Sequence, residues 1–164
     1  MGYGNTVKDG SGVFYHQLLD DQGRLIFHDG WDPLLIEDTD ANDSDKIFTV
    51  PANKIYRLQT ARITLVSTST VGSRQIVVEF GDGSNVIFAM RAGTTQAASL
   101  TRYYNYGVGI QELTSFRDTD HLQCSLPDNL QLPAGYTIRI YDNKAIAAAA
   151  DDMTIRMMVY QKDT

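Results

Sequence analysis

A single cysteine in 164 residues removes two classes of structure at once. Cys124 can form no intramolecular disulfide, and it has no second thiolate with which to share a metal cluster. It sits in the run Leu122-Gln123-Cys124-Ser125-Leu126, in phase with both leucines, so it reads as a small core residue and not as a nucleophile. Cationic side chains are also scarce: 14 Lys and Arg against 20 Asp and Glu leave a net charge of −6. Nucleic-acid binding depends on clustered cations that displace counterions from phosphates, so no nucleic-acid partner is expected. Long apolar runs are missing too. The longest, Ala145 to Ala150, is far short of the roughly 20 residues a membrane helix needs, and no membrane partner is expected. The opening MGYGNTVKDGSG has neither a basic n-region nor an apolar core, so no secretory signal is expected.

Catalytic signatures are equally thin. His16, His28 and His121 share no ligand spacing, and two imidazoles facing each other across a hairpin would make a poor metal site. No serine lies in a nucleophile-elbow context, and neither a phosphate-binding loop nor a dinucleotide glycine pattern occurs. Asp142, Asp151 and Asp152 could meet at one end of a sandwich, but their spacing fits no calcium loop. The expectation is a protein that is not an enzyme, with no catalytic residue, no metal and no cofactor.

What the sequence does contain is alternation. In 136–141, Tyr136, Ile138 and Ile140 oppose Thr137, Arg139 and Tyr141; in 154–160, Ile155, Met157 and Val159 oppose Thr154, Arg156 and Tyr160. A period of two marks half-buried strands, because successive side chains leave opposite faces of the pleat. The same pattern recurs at 47–50, 54–67, 74–80, 86–90, 94–106 and 122–126, about eight strands in all. The phase of 54–67 slips between Leu58 and Ile63, which predicts a bend or bulge. Gly81-Asp82-Gly83-Ser84 is hairpin-turn chemistry, while 94–106 reads as an exposed or edge strand. No stripe of helical period is present; 145–152 could form one short turn. Short strands divided by Gly, Pro and Asp turns predict an all-β fold, an antiparallel β-sandwich of jelly-roll type.

The first 45 residues differ. Val13–Leu19 and Arg24–His28 flank Asp20-Asp21-Gln22-Gly23 and predict a hairpin, too small to stand alone in water. Residues 29–45 are rich in aspartate and read as an acidic linker anchored by Trp31 and Leu34-Leu35-Ile36. The division expected is an N-terminal arm over 1–45 and a sandwich over 46–164. Candidate partner-binding residues are Val13, Phe14, Tyr15, Leu18, Leu19 and Trp31 of the arm, with Tyr103, Tyr104 and Tyr106 of the sandwich. Tyrosine supplies interface area while keeping its hydroxyl bonded, although core packing and sugar stacking remain open for the three sandwich tyrosines. The loop Ser67-Thr68-Ser69-Thr70-Val71-Gly72-Ser73-Arg74 reads as a polar surface apex.

Five segments carry a resemblance: Val50-Pro51-Ala52-Asn53-Lys54, Thr70-Val71-Gly72-Ser73-Arg74, Thr95-Gln96-Ala97-Ala98-Ser99, Leu132-Pro133-Ala134-Gly135-Tyr136 and Ala149-Ala150-Asp151-Asp152-Met153. In this order they resemble stretches of small structural proteins of tailed bacteriophages, over roughly residues 46–160. The resemblance implies a β-sandwich virion component: a capsid cement or decoration protein, trimeric and bound to the major capsid protein, or else a neck- or tail-associated module able to contact host glycans. It assigns no binding residue, because the shared segments are turns and strand ends.

Overall fold

The computed structural model describes residues 5–8, 14–19, 25–26, 30–41, 45–111, 118–144, 146–147 and 149–164, the first three stretches as backbone only. They form twelve strands and no helix. The chain divides into two units, Met1–Trp31 and Asp32–Thr164. In the first, β1 (Asn5–Lys8), β2 (Phe14–Leu19) and β3 (Leu25–Ile26) make one antiparallel sheet in that order. The pairing of Leu18 with Ile26 and Leu19 with Leu25 is the hairpin expected there; β1 is an addition that glycine-rich sequence did not suggest.

The second unit is a long hairpin folded double. Its strands are β4 (Asp32–Asp38), β5 (Asp45–Thr49), β6 (Lys54–Val66), β7 (Ile76–Gly81), β8 (Val86–Arg91), β9 (Thr101–Val108), β10 (His121–Leu126), β11 (Thr137–Asp142) and β12 (Asp152–Asp163). Antiparallel ladders join β7 to β8, β6 to β9, β5 to β11 and β4 to β12, each nested inside the next. The tip of the nest is the 81–85 turn, where Asp82 Oδ1 accepts the amides of Ser84 (2.8 Å) and Asn85 (2.6 Å). Rolling the hairpin brings β12 beside β6 and β11 beside β7. Two sheets result, ordered β10-β9-β6-β12-β4 and β5-β11-β7-β8. This is the jelly-roll sandwich expected from the alternation, with β10 added at one edge. The β9–β10 ladder is parallel, which makes the larger sheet mixed.

Burial follows the period. Met153, Ile155, Met157 and Val159 of β12 are all 0% exposed, and they face Ile76, Val78, Phe80, Ile138 and Ile140 of the smaller sheet across one core. Each such side chain contributes about 1.5–3 kcal/mol on leaving water. Cys124 belongs to this core beside Leu122 and Leu126. The slip in β6 is a bulge: its register against β12 shifts between Met158 and Val159, whose partners are Thr60 and Leu58. Tyr56 and Leu58 before it, and Ala61, Ile63 and Leu65 after it, all point inward.

Three expectations change. Residues 32–38, within the segment read as an acidic linker, are β4, which pairs Leu34, Leu35 and Ile36 with Val159, Met158 and Met157. Its acids defeat a hydropathy reading because they occupy the ends and outer face of an edge strand. The 94–106 segment is no edge. Only Thr101–Val108 is strand, and it lies between β6 and β10 because β10 returns parallel to cover it. Finally, Val86 and Phe88, whose phase predicts burial, are 58% and 45% exposed.

Candidate functional site

Three places in the sandwich gather polar or unprotected groups. The first is a buried plug where β6 ends. Arg74 and Asp151 are both fully buried; Arg74 Nε donates to Asp151 Oδ2 at 2.5 Å and Nη2 to Oδ1 at 3.1 Å. The Thr68 amide and hydroxyl donate to the same carboxylate at 2.7 and 2.9 Å. Burial alone would raise the Asp151 pKa, but the hydrogen bonds from Arg74 and Thr68 outweigh it and hold it below the usual carboxylate value. Gln96, also buried, donates Nε2 to the carbonyls of Leu65 (3.0 Å) and Leu100 (2.7 Å), and its Oε1 accepts the Tyr104 hydroxyl at 3.0 Å. Burial pushes the Tyr104 hydroxyl up to about 12, so it remains a donor. Every charge here is matched by a charge or hydrogen bond, leaving no free group aimed at a substrate. The plug is architecture: it ties the 67–74 and 95–100 loops to the start of β12.

The second place is the outer face of the five-stranded sheet. Register sets Glu37, Arg156, Arg62, Asn105 and Gln123 in one row across β4, β12, β6, β9 and β10. Arg156 Nε donates to Glu37 at 2.7 Å. The Arg62 guanidinium lies over the Tyr103 ring, 5.2 Å from its centroid, and Tyr103 stacks on His121 with centroids 4.7 Å apart. His121 Nδ1 in turn meets Asp118 at 3.1 Å. Hydrogen bonds from the backbone amides of His121 and Asp120 lower the Asp118 pKa. A cleft of about 200 Å³ opens here between Thr39, Thr64, Tyr103, Thr154 and the two arginines. A neighbouring groove of about 310 Å³ runs along Leu35, Thr60, Ile110 and Met158.

The third place is an edge. A sheet edge exposes unpaired backbone groups, and proteins normally blunt it with charge or proline. β4 carries Asp32, Pro33, Glu37 and Asp38; β5 carries half-buried Asp45 and buried Lys46 but leaves Ile47 60% exposed; the outer positions of β10 are His121, Gln123 and Ser125. β8 reads Val-Ile-Phe-Ala-Met-Arg, exposed at every position except half-buried Met90, and its sole charge is the terminal Arg91.

The sequence-predicted residues scatter across this picture. Tyr104 and Tyr106 are core, 0% and 1% exposed, and offer no surface; the inward phase they share with Leu122 and Cys124 decides it. Tyr103 alone of the three points outward. Trp31 is half-buried, and Phe14, Tyr15, Leu18 and Leu19 lie on β2. Val13 and His28 are outside the described residues. Asp151 and Asp142 are buried and already engaged, Asp142 by the amide of Gln75 at 2.8 Å, so the pair is not free to hold a cation. No cluster of three or more metal-ligating side chains occurs among the described residues. Sequence reading placed 86–90 on a strand and Arg156 on the face opposite Ile155, but singled out neither them nor Arg62, since each becomes distinctive only through the strand order and register.

No protein family matches the chain, and no curated protein does. Among solved structures it is similar to turnip yellow mosaic virus, at 8% identity and a TM-score of 0.32 over 81% of this chain and 79% of that one. It is also similar to the infectious bursal disease virus T13 particle, at 10% identity and 0.31 over 92% of this chain and 37% of that one. The Gx strain of that virus gives 10% and 0.31, with 99% and 42% covered, so the chain spans about two fifths of those proteins. These likenesses assign no family and no role.

Proposed function

We propose that this chain is a non-enzymatic structural protein of a virion, a cement or decoration protein of the tailed-phage kind that bridges neighbouring subunits of a capsid shell. The observation that carries the proposal is β8: among the described residues, an apolar edge with no charge before Arg91, on a sandwich whose β4 and β10 edges are charged, proline-capped or polar. Such an edge is suited to pairing with another chain, which satisfies its backbone groups and covers Val86, Ile87 and Phe88. The resemblance of residues 46–160 to phage structural proteins points the same way. The mechanism is mass action: a protein that binds the assembled shell and not its separated parts stabilises the shell. A closed cyclic trimer is the assembly we favour, since a ring caps its own growth.

Antibody labelling of purified particles tests the location, with label spread over the head expected and no label on any particle overturning the proposal. Ile87→Lys tests the edge. The variant is expected to fold, because Ile87 is 47% exposed, and to lose most of its occupancy on particles; normal occupancy would remove the edge from the argument. The second reading, a neck or tail module stacking host glycans on Tyr103, Tyr104 and Tyr106, has a reduced platform. Two of those rings are core, and a sugar at the third would compete with His121 and Arg62.

A further inference from the structure

β8 leaves side chains of both its faces in water. Phe88, opposite the buried Phe80, and Ala89, opposite Glu79, point to opposite faces and are both exposed. Its register against β7 shifts between Phe80 and Gly81, a bulge that leaves Ile87 outside the ladder. Beyond the bulge the backbone alternates regularly. The Ala92 amide donates to the Ile76 carbonyl at 2.8 Å, so the amides and carbonyls of Met90 and Phe88 also turn toward β7. Those of Ala89 and Arg91 turn to the open edge, since β8 ends its sheet. What such an edge accepts is another strand, whose extended backbone satisfies its donors and acceptors in turn.

The charges of this segment lie at its two ends. Arg91 closes β8, is exposed, and makes no ion pair or hydrogen bond among the described residues. Asp82 sits in the exposed turn before β8, where hydrogen bonds from the amides of Asn85 and Ser84 hold its pKa below the usual carboxylate value. It is therefore ionised at neutral pH. Residues 83–90 between them carry no charge. A segment with a cation at one end and an anion at the other is complementary to its own reverse. Parallel pairing of two copies would set Arg91 on Arg91 and Asp82 on Asp82, whereas antiparallel pairing brings each Arg91 to the partner's turn.

We infer that β8 pairs antiparallel with β8 of a second copy of this chain, about a two-fold axis that joins the two four-stranded sheets into one. The strand itself selects this occupant: apolar side chains meet apolar side chains on both faces, the end charges are answered, and neither copy keeps an open β8 edge. Such a contact is isologous, linking one copy to one other and going no further. The inference rests on the assembly reading above and names what β8 meets; the contact links neighbouring rings and does not build the ring.

The test is self-association of the purified full chain by sedimentation velocity, for wild type, Asn85→Lys, Arg91→Glu and the double variant. Within one chain positions 85 and 91 lie roughly 20 Å apart along an extended backbone, so they do not touch. Asn85→Lys sets a cation where the partner's Arg91 arrives, and Arg91→Glu brings an anion to the partner's Asp82. Each is expected to weaken association at least about tenfold. The double variant is expected to recover most of that loss, because each new carboxylate then meets a new ammonium group, and long side chains tolerate a diagonal register. Both positions are exposed, so the melting temperature should stay near that of the wild type. A double variant as weak as either single one overturns the inference, and so does association that neither single change alters. A monomeric wild type overturns it too. If that monomer still decorates particles and Ile87→Lys does not, β8 meets the shell protein and the cement reading stands. Association is measured without particles, so the two readings can fail separately.

Discussion

Two arginines in this molecule are alike in being set by cross-strand geometry and opposite in what completes them. Arg74 is fully buried, and everything its guanidinium needs lies inside the chain: both oxygens of Asp151, the Thr68 hydroxyl, and the Thr70 carbonyl at 3.1 Å. Arg62 is on the surface, and what faces it is another arginine. A buried cation left unmatched would cost several kcal/mol, so folding admits one only with its partner. A surface cation is solvated and can wait for a partner to arrive. The contrast separates a cation that the fold completes from one whose charge is left at the surface.

The sharpest way to break that comparison is to remove the carboxylate of the buried pair. Asp151→Asn is expected to destabilise the sandwich by about 3–5 kcal/mol, because Arg74 remains buried and charged without its counter-ion. Replacing both partners by apolar residues of similar volume should cost much less than that single change, since the desolvation penalty leaves with the charges. Urea unfolding of the three proteins decides it, and equal losses would show that packing, not charge, governs the site. The same pair sets a pH dependence. The folded Asp151 pKa is depressed, so its contribution to stability is fully present above the unfolded value of about 3.9 and is lost as pH falls through the lower folded value. The urea midpoint of the wild type is therefore expected to fall more steeply below about pH 4 than that of Asp151→Asn. Parallel curves would contradict it.

Next in size is Tyr104→Phe, which deletes the hydroxyl bound to Gln96 and strands a buried amide oxygen. A loss of about 1–3 kcal/mol is expected in thermal or urea unfolding. A loss near zero would mean that Gln96 finds another donor, and that the plug tolerates rearrangement.

Most of the fold was legible because it rests on a period of two. Alternation at 136–141 and 154–160 placed Ile138, Ile140, Ile155, Met157 and Val159 inward, and the phase slip in 54–67 marked the bulge opposite Met158. What alternation cannot say is which strand lies beside which. β11 and β12, consecutive in sequence, belong to different sheets, and β9 gains a parallel neighbour from across a long connection. The five segments on which the expected resemblance rests acquire a physical meaning from that topology. Thr70–Arg74, Thr95–Ser99 and Ala149–Met153 supply Arg74, Gln96 and Asp151 to the buried plug, whereas in the other two the Val50 amide donates to the Tyr136 carbonyl and the Gly135 amide to the Val50 carbonyl, just before β6. A thirteen-residue strand separates the two clusters by roughly 40 Å. They are the two closures of the sandwich, and their residues are spent on holding it together. The candidate surface stayed hidden for the converse reason: Arg62 and Arg156 are 94 positions apart, and neither is unusual until the register pairs them.

The smallest expected effect probes the surface side of the comparison alone. Glu37→Gln removes the one carboxylate in the arginine row and leaves Arg156 facing Arg62 without compensation. The Arg156 and Glu37 side chains are 61% and 42% exposed, so water screens the interaction and the loss should be only about 0.2–1 kcal/mol. Its salt dependence is the informative part. Repulsion between exposed arginines fades as the Debye length shrinks, so the deficit of Glu37→Gln should shrink toward zero near 1 M salt, while that of Asp151→Asn persists because no ions reach a pair buried in the core. A Glu37→Gln deficit that survives high salt would mean that Glu37 holds β4 to β12 by packing and not by charge. The arginine pair would then be part of the sheet's own construction.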